Sequence, residues 1–331
     1  MSKWIVRFPL KVLALALGLV GFAALTLAAM IATPLASLPE LTSISKSARA
    51  IDRSSMPALS RFSARDGTEL AYRHYPARGP SSGKIAILVH GSSGSSAAVH
   101  ALADALAAHG VETYAPDIRG HGGSGTRGDV AYLGQLENDM EDLVALVRKT
   151  SPAEPLTLLG HSAGGGFALR IASSPIQDLF VRTVLLAPYL GYDAPTNRPA
   201  SGGWASADIP RFLALAALHR VGVDCCESLP TLAFAVPANS EQVLNPHYSY
   251  RLMRNFATRG YASDLAAAHH PITLISGTSD ELMLADKYAD AVHAVAPSVE
   301  VKLIEGVDHM GIVGNPKAVA AVADDVVRAR I

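Results

Sequence analysis

Apolar residues run without a single charge from Val12 to Pro39, and Val12–Ile31 is a dense succession of Leu, Ala, Val and Gly. A helix of about 20 such residues spans a bilayer, whereas the apolar region of a secretory signal is only about 7–15 long. Lys3, Arg7 and Lys11 precede the run. Small residues at Thr26-Leu27-Ala28 offer a cleavage site, but the run continues past it, so an uncleaved anchor is expected. The basic flank implies a cytoplasmic N-terminus and an extracytoplasmic remainder, although Lys46, Arg49 and Arg53 weaken that asymmetry. The expected organisation is a basic flank at 1–11, an anchor at 12–32, a Pro- and Ser-containing linker at 33–57 and a folded domain at 58–331.

Within that domain the pattern changes to short apolar runs alternating with amphipathic ones. Leu59–Ala64 and Thr68–Tyr75 flank Asp66-Gly67, a hairpin-turn dipeptide. Strands are expected at Ile85–Val89, Val111–Pro116, Pro155–Leu159, Thr183–Leu186, Ile272–Ser276 and Val299–Ile304. Helices are expected at Ala97–His109, Leu133–Lys149, around Phe167–Ala172, at Ala285–Val295 and from Pro316 to the C-terminus. In the second of these Leu133, Leu136, Met140, Leu143, Val144 and Val147 share one face. Glu137, Asp139, Glu141 and Asp142 read as its solvated side. Such alternation implies an α/β fold on a mostly parallel sheet, with an antiparallel hairpin at one edge. Between about 188 and 270 the rhythm is lost; apolar helices around Phe212–Leu218 and Tyr248–Phe256 mark an insertion.

Composition narrows the function classes. The chain has 331 residues, 17% of them charged, and a formal net charge of -1, which argues against a nucleic-acid partner. The two cysteines, Cys225 and Cys226, are adjacent and have no zinc-site spacing. No phosphate-binding or dinucleotide motif is present, and neither cofactor nor metal is expected.

Gly160-His161-Ser162-Ala163-Gly164 stands between a strand and a helix, the setting of a G-x-S-x-G nucleophile elbow. Ligands in parallel α/β sheets bind at the carboxyl ends of the strands. Two more reactive residues fall there: Asp280, after the strand ending at Ser276, and His309, after the strand ending at Ile304. A serine hydroxyl needs a histidine to take its proton and a carboxylate to fix that imidazole's tautomer. Ser162, Asp280 and His309 occur in the order of an α/β-hydrolase triad; Glu281 and Asp308 compete with Asp280 as the acid. His90-Gly91-Ser92-Ser93-Gly94 follows another strand, and backbone N–H groups of Ser92 and Ala163 are the expected oxyanion hole.

With His90-Gly91, Asp117–Ser124, the GHSAGG segment, Gly277–Leu282 and Glu305–His309, the chain resembles the monoacylglycerol lipase and lysophospholipase branch of the α/β-hydrolases, grouped with serine aminopeptidase-like enzymes. The resemblance covers roughly 58–188 and 271–331. It implies Ser162 as nucleophile, His309 as base, Asp280 as orienting acid, and structural roles for His90 and the Arg119–Ser124 turn. Ala163 stands where relatives often carry methionine. The resemblance also implies that the insertion caps the strand ends over an apolar acyl pocket. The expected function is a membrane-anchored serine hydrolase of carboxylic esters, with monoacyl lipids such as lysophospholipid or monoacylglycerol as substrates. The alternatives are an aminopeptidase-like amide hydrolase, and an acyltransferase or non-catalytic membrane partner on the same scaffold.

Overall fold

The computed structural model describes residues 2–240 and 243–328. Met1, residues 241–242 of the insertion and the expected helix end at 329–331 lie outside the described residues, as do the side chains of Lys3 and Arg7. The strands of the main sheet are β1 (Ser60–Ser63), β2 (Glu69–Tyr75), β3 (Ile85–Val89), β4 (Glu112–Pro116), β5 (Leu156–His161) and β6 (Arg182–Leu186). After the insertion, which contributes β7 (Ala205–Ala207), β8 (Pro230–Phe234) and β9 (His247–Ser249), come β10 (Ile272–Gly277) and β11 (Glu300–Ile304).

The eight-stranded sheet has the order β1-β2-β4-β3-β5-β6-β10-β11. The β1–β2 hairpin is antiparallel about Asp66-Gly67, with Ser60 opposite Tyr72, and β2 is antiparallel to β4. The remaining pairs are parallel, including Val89 opposite Gly160 and Leu186 opposite Ile275. Every residue of β3, β5 and β6 is buried. Such strands read as continuous apolar runs because helices cover both faces of a parallel sheet. Each fully buried Leu, Ile or Val contributes about 1.5–3 kcal/mol, so these strands hold the elbow and its neighbours in a fixed frame.

The helices that matter for the site are α1 (Ser2–Ile31), α2 (Thr42–Ala50), α3 (His100–Ala108), α4 (Gln135–Arg148), α5 (Ala163–Ala172) and α6 (Ile209–Arg220). α5 packs on β5 and β6, and α3 packs against the final helix, Pro316–Arg328. The expected helix from Ala97 opens as a 3₁₀ turn, Ser96–Val99, before α3.

Three expectations need correction. The segment 33–57 is not a plain linker: Ile44, Ala48 and Ile51 form one apolar stripe, and Ile44 and Ile51 are buried on the domain. Its Ser47 hydroxyl donates to Asp308 Oδ2 at 2.7 Å, and Leu41 N–H donates to Ala235 O at 3.0 Å. The acidic side of α4 is not a solvated face. Asp139 is buried against Arg119 (2.7 Å) and Glu137 pairs with Arg170 (2.6 Å), while Arg65 covers Glu141 and Asp142. The insertion, finally, is mixed rather than purely helical, because β7, β8 and β9 form a three-stranded antiparallel sheet beside α6.

Leu10–Ile31 of α1 is apolar and 22 residues long, and side chains such as Phe22 and Leu25 are more than 70% exposed. At about 1.5 Å per residue it matches the hydrocarbon thickness of a bilayer, so α1 is a candidate anchor. Its end is fastened to the insertion: Thr33 Oγ1 donates to both Asp208 carboxylate oxygens at 2.8 Å, and Arg211 Nε donates to Ile31 O at 2.8 Å. Asp208 in turn caps α6 by accepting the Arg211 N–H at 3.0 Å.

Candidate active site

Ser162 is the residue between β5 and α5, with φ 55° and ψ -119°. That conformation costs a non-glycine residue about 1–3 kcal/mol and persists only where the surroundings dictate it. Here they do. Ser162 N–H donates to Leu186 O at 2.9 Å, and Ser162 O accepts from Gly165, Gly166 and Tyr189 N–H at 2.9–3.1 Å. The turn closes only because its flanks have no side chain: a Cβ on Gly160 would stand 2.1 Å from Gly164 O, and one on Gly164 would stand 2.2 Å from His90 O. With its backbone groups consumed, Ser162 lines the cavity, and its hydroxyl has no hydrogen-bond partner among the described residues.

His309 lines the same cavity. Its Nδ1 lies 2.8 Å from Asp280 Oδ2, with both side chains almost fully buried. The other carboxylate oxygen, Asp280 Oδ1, accepts the N–H groups of Leu282 and Met283 at 2.8 Å each. An acceptor on that side fixes the proton on Nδ1 and leaves the Nε2 lone pair for the cavity. Burial opposes ionisation of both groups, yet the mutual attraction outweighs it: Asp280 is held below its ordinary pKa and His309 is raised above its ordinary value.

The backbone around this pair is fixed separately. Glu281 Oε2 accepts His309 N–H at 2.9 Å, and Arg198 donates to Asp280 O at 2.9 and 3.2 Å. His161 Nε2 donates to His309 O at 3.1 Å. Burial, with His309 nearby, lowers the His161 pKa to about 3, so His161 is a neutral positioning group beside the elbow.

Ala163 is the first residue of α5, so its N–H has no carbonyl partner within the helix. The Ser92 N–H also has no partner among the described residues. Gly91 brings this loop against the elbow, where a Cβ at that position would lie 3.1 Å from Ser162 Cβ. The neighbouring N–H, that of Ser93, is consumed: it donates to the Tyr248 hydroxyl at 2.6 Å, which itself donates to His121 Nε2. The insertion thus holds the loop through Tyr248, and Trp204 Nε1 adds a bond to Ser92 Oγ at 2.9 Å. His90 accepts the Ile118 N–H at 3.1 Å through Nε2 and donates from Nδ1 to Gly91 O at 2.7 Å. Both His90 and His121 are fully enclosed, and burial favours their neutral forms. They are structural, as the resemblance implies.

Five residues named from the sequence therefore meet at one place: Ser162, His309, Asp280, Ser92 and Ala163. Tyr248 and Arg198 were not legible as site residues, because each acts through a tertiary contact that no local spacing records. The cavity has a volume of about 520 Å³, within the range of small-ligand sites. Asp308, the other competing acid, is occupied elsewhere, with Oδ2 accepting from Ser47 and Oδ1 from Gly311 N–H. Among the described residues one group could hold a cation, His219, Asp224 and Glu227, with donor atoms within 4.8 Å of one another. It does not line the cavity.

A family model described as serine aminopeptidase, S33, matches residues 80–313. The chain is similar to a monoglyceride lipase homolog of Monkeypox virus, 24% identical over 246 residues that cover 68% of this chain and 81% of that protein. It is also similar to a monoacylglycerol lipase of Mycolicibacterium smegmatis, 36% identical over 83 residues, 25% of this chain and 30% of the other. Among solved structures, a soluble variant of monoglyceride lipase from Saccharomyces cerevisiae, in complex with a substrate analog, has a TM-score of 0.63 at 18% identity, covering 82% of this chain and 94% of that one. The Paleococcus ferrophilus monoacylglycerol lipase has a TM-score of 0.57 at 18% identity, covering 78% and 98%.

Proposed function

Because the chain belongs to the serine aminopeptidase (S33) family of α/β-hydrolases, in its monoacylglycerol lipase-like branch, we propose that it is a membrane-anchored serine hydrolase cleaving carboxylic esters of monoacyl lipids. Ser162 Oγ attacks the acyl carbonyl while His309 Nε2 takes its proton. The oxyanion that forms is met by the N–H groups of Ser92 and Ala163, each such donor contributing about 3 kcal/mol to the transition state. Collapse expels the alcohol, protonated by His309, and leaves the acyl group on Ser162. Water, deprotonated by the same imidazole, then releases the acid. Asp280 holds the ring in the productive tautomer and stabilises its charged form. The observation that supports this reading most directly is that His309, its imidazole bonded to a buried carboxylate, lines the same cavity as Ser162, whose hydroxyl has no partner among the described residues.

A panel of monoacylglycerols, lysophospholipids, p-nitrophenyl esters and aminoacyl anilides tests the substrate class. Esters of medium or long acyl chains should be turned over in preference to anilides, a reading supported by the similarity to monoglyceride lipases. Preference for anilides would reverse the assignment. Measured across pH, kcat/KM should rise as His309 loses its proton. That midpoint should stand above the ordinary histidine value of 6.5, because Asp280 stabilises the protonated ring. Asp280→Asn should move it downward; an unmoved midpoint would assign the titration to another group.

α1 serves as an uncleaved, single-pass anchor with the catalytic domain outside the cytoplasm. Cleavage within α1 near Ala28 would leave Thr33 and Ile31 only a few residues from a free end, although both are bonded to the insertion. Protein extracted from membranes should retain residues 10–31, and protease added to right-side-out vesicles should digest the domain. Digestion confined to inverted vesicles would reverse the orientation.

A further inference from the structure

The segment that joins the anchor to the α/β domain forms a wall of the cavity. Ile44, Ser45, Ala48 and Arg49 of α2, and Arg53 just after it, line the same space as Ser162 and His309. We infer that this wall is an anion subsite, and that the preferred ester carries a phosphate or phosphodiester on its alcohol half, as a lysophospholipid does and a monoacylglycerol does not.

The arrangement of Arg53 carries the inference. Its guanidinium is half-buried and clamped in place by three backbone carbonyls: Nε donates to Ala97 O at 3.1 Å, Nη1 to Ile51 O at 3.0 Å and Nη2 to Ala48 O at 2.8 Å. A guanidinium has five N–H donors, so two remain. Carbonyl oxygens orient the group without neutralising it, and among the described residues Arg53 has no carboxylate partner in an ion pair. A partly desolvated charge without a counterion is unfavourable, and an anion bound from the cavity would relieve it. Burial alone is what shifts this group, in the direction of its neutral form.

The rest of the lining agrees in sign. It holds a second arginine, Arg49, which is exposed at the rim and paired with Glu40 at 3.0 Å, and no Asp or Glu among the described residues. Arginine is suited to this role because its planar fork matches two phosphate oxygens at once. The neutral glycerol of a monoacylglycerol would leave Arg53 as it stands in the free protein.

This inference rests on the ester-hydrolase reading for its kinetic test, so a binding test is paired with it. On the full chain in neutral detergent, kcat/KM for a lysophosphatidic acid should exceed that for the monoacylglycerol of the same acyl chain. Arg53→Gln should lower that ratio by about tenfold or more, the scale of one lost charge-assisted hydrogen bond. Arg53→Lys should restore part of the ratio and Arg49→Gln should lower it by a smaller factor; these two variants carry the test if Arg53→Gln fails to fold. An equal fall on both substrates would make Arg53 a clamp of α2 alone and overturn the proposal. So would a constant ratio with relieved inhibition by free fatty acid, which would assign Arg53 to the product carboxylate. In the binding arm, the Ser162→Ala chain should bind dodecyl phosphate more tightly than dodecanol, and Arg53→Gln should abolish the difference. Such binding with no turnover of any ester by the wild type would leave the subsite standing and sink the hydrolase reading. Turnover with no anionic preference would do the reverse.

Discussion

Replacing Ser162 by alanine is expected to lower kcat on every accepted ester by about a millionfold, the scale seen when a triad nucleophile is removed. The fold should survive. The hydroxyl makes no hydrogen bond among the described residues, and the backbone bonds of Ser162 to Leu186, Gly165, Gly166 and Tyr189 do not involve it. Thermal stability should therefore move by no more than about 0.5 kcal/mol, the usual range for a substitution that breaks no partner. Ser162→Gly provides a control on the strain. With φ at 55° the serine backbone is strained, and glycine should be more stable there while equally inactive. A Ser162→Ala enzyme retaining a tenth of its activity would mean that another group performs the attack.

Asp280→Ala should cost about 10⁴-fold in kcat, the loss typical when the carboxylate that orients a catalytic imidazole is removed. The physical cause is specific. Without Oδ2 the Nδ1 of His309 loses its acceptor in an almost dry site, and the ring is free to take the wrong tautomer or turn. Glu281→Ala separates the two adjacent acids. Glu281 Oε2 holds the His309 backbone N–H rather than the ring, so its removal should shift the imidazole slightly and cost far less. A nearly silent Asp280→Ala beside a crippling Glu281→Ala would exchange the two assignments.

The sheet was legible in the sequence because its central strands are buried on both faces. Ile85–Val89 and Pro155–Leu159 read as apolar runs for the same reason that β3 and β5 sit mid-sheet. The five site residues were legible because chemistry and topology coincide: each stands at the carboxyl end of a strand, where a parallel sheet gathers its loops. What escaped depends on contacts distant in the chain. α2 and the residue after it offer only Ile44, Ala48 and Ile51 as an apolar stripe, too few to distinguish a docked helix from a linker. The three-stranded sheet of the insertion is built from strands of three to five residues, below the length at which alternation is informative. The acidic side of α4 looked solvated because its partners, Arg65, Arg119 and Arg170, lie on other elements. Tyr248 could not have been tied to Ser93 and His121 by any spacing, since the bonds span 155 and 127 residues.

In the proposed mechanism the Ser162 hydroxyl is made nucleophilic by His309. Incubation of the full-length protein with a fluorophosphonate probe, followed by mass spectrometry of its peptides, reads this directly. One adduct is expected, on the peptide bearing Ser162, that disappears in Ser162→Ala and falls to trace levels in His309→Ala. Equal labelling of Ser162→Ala, or undiminished labelling of Ser162 without His309, would contradict it.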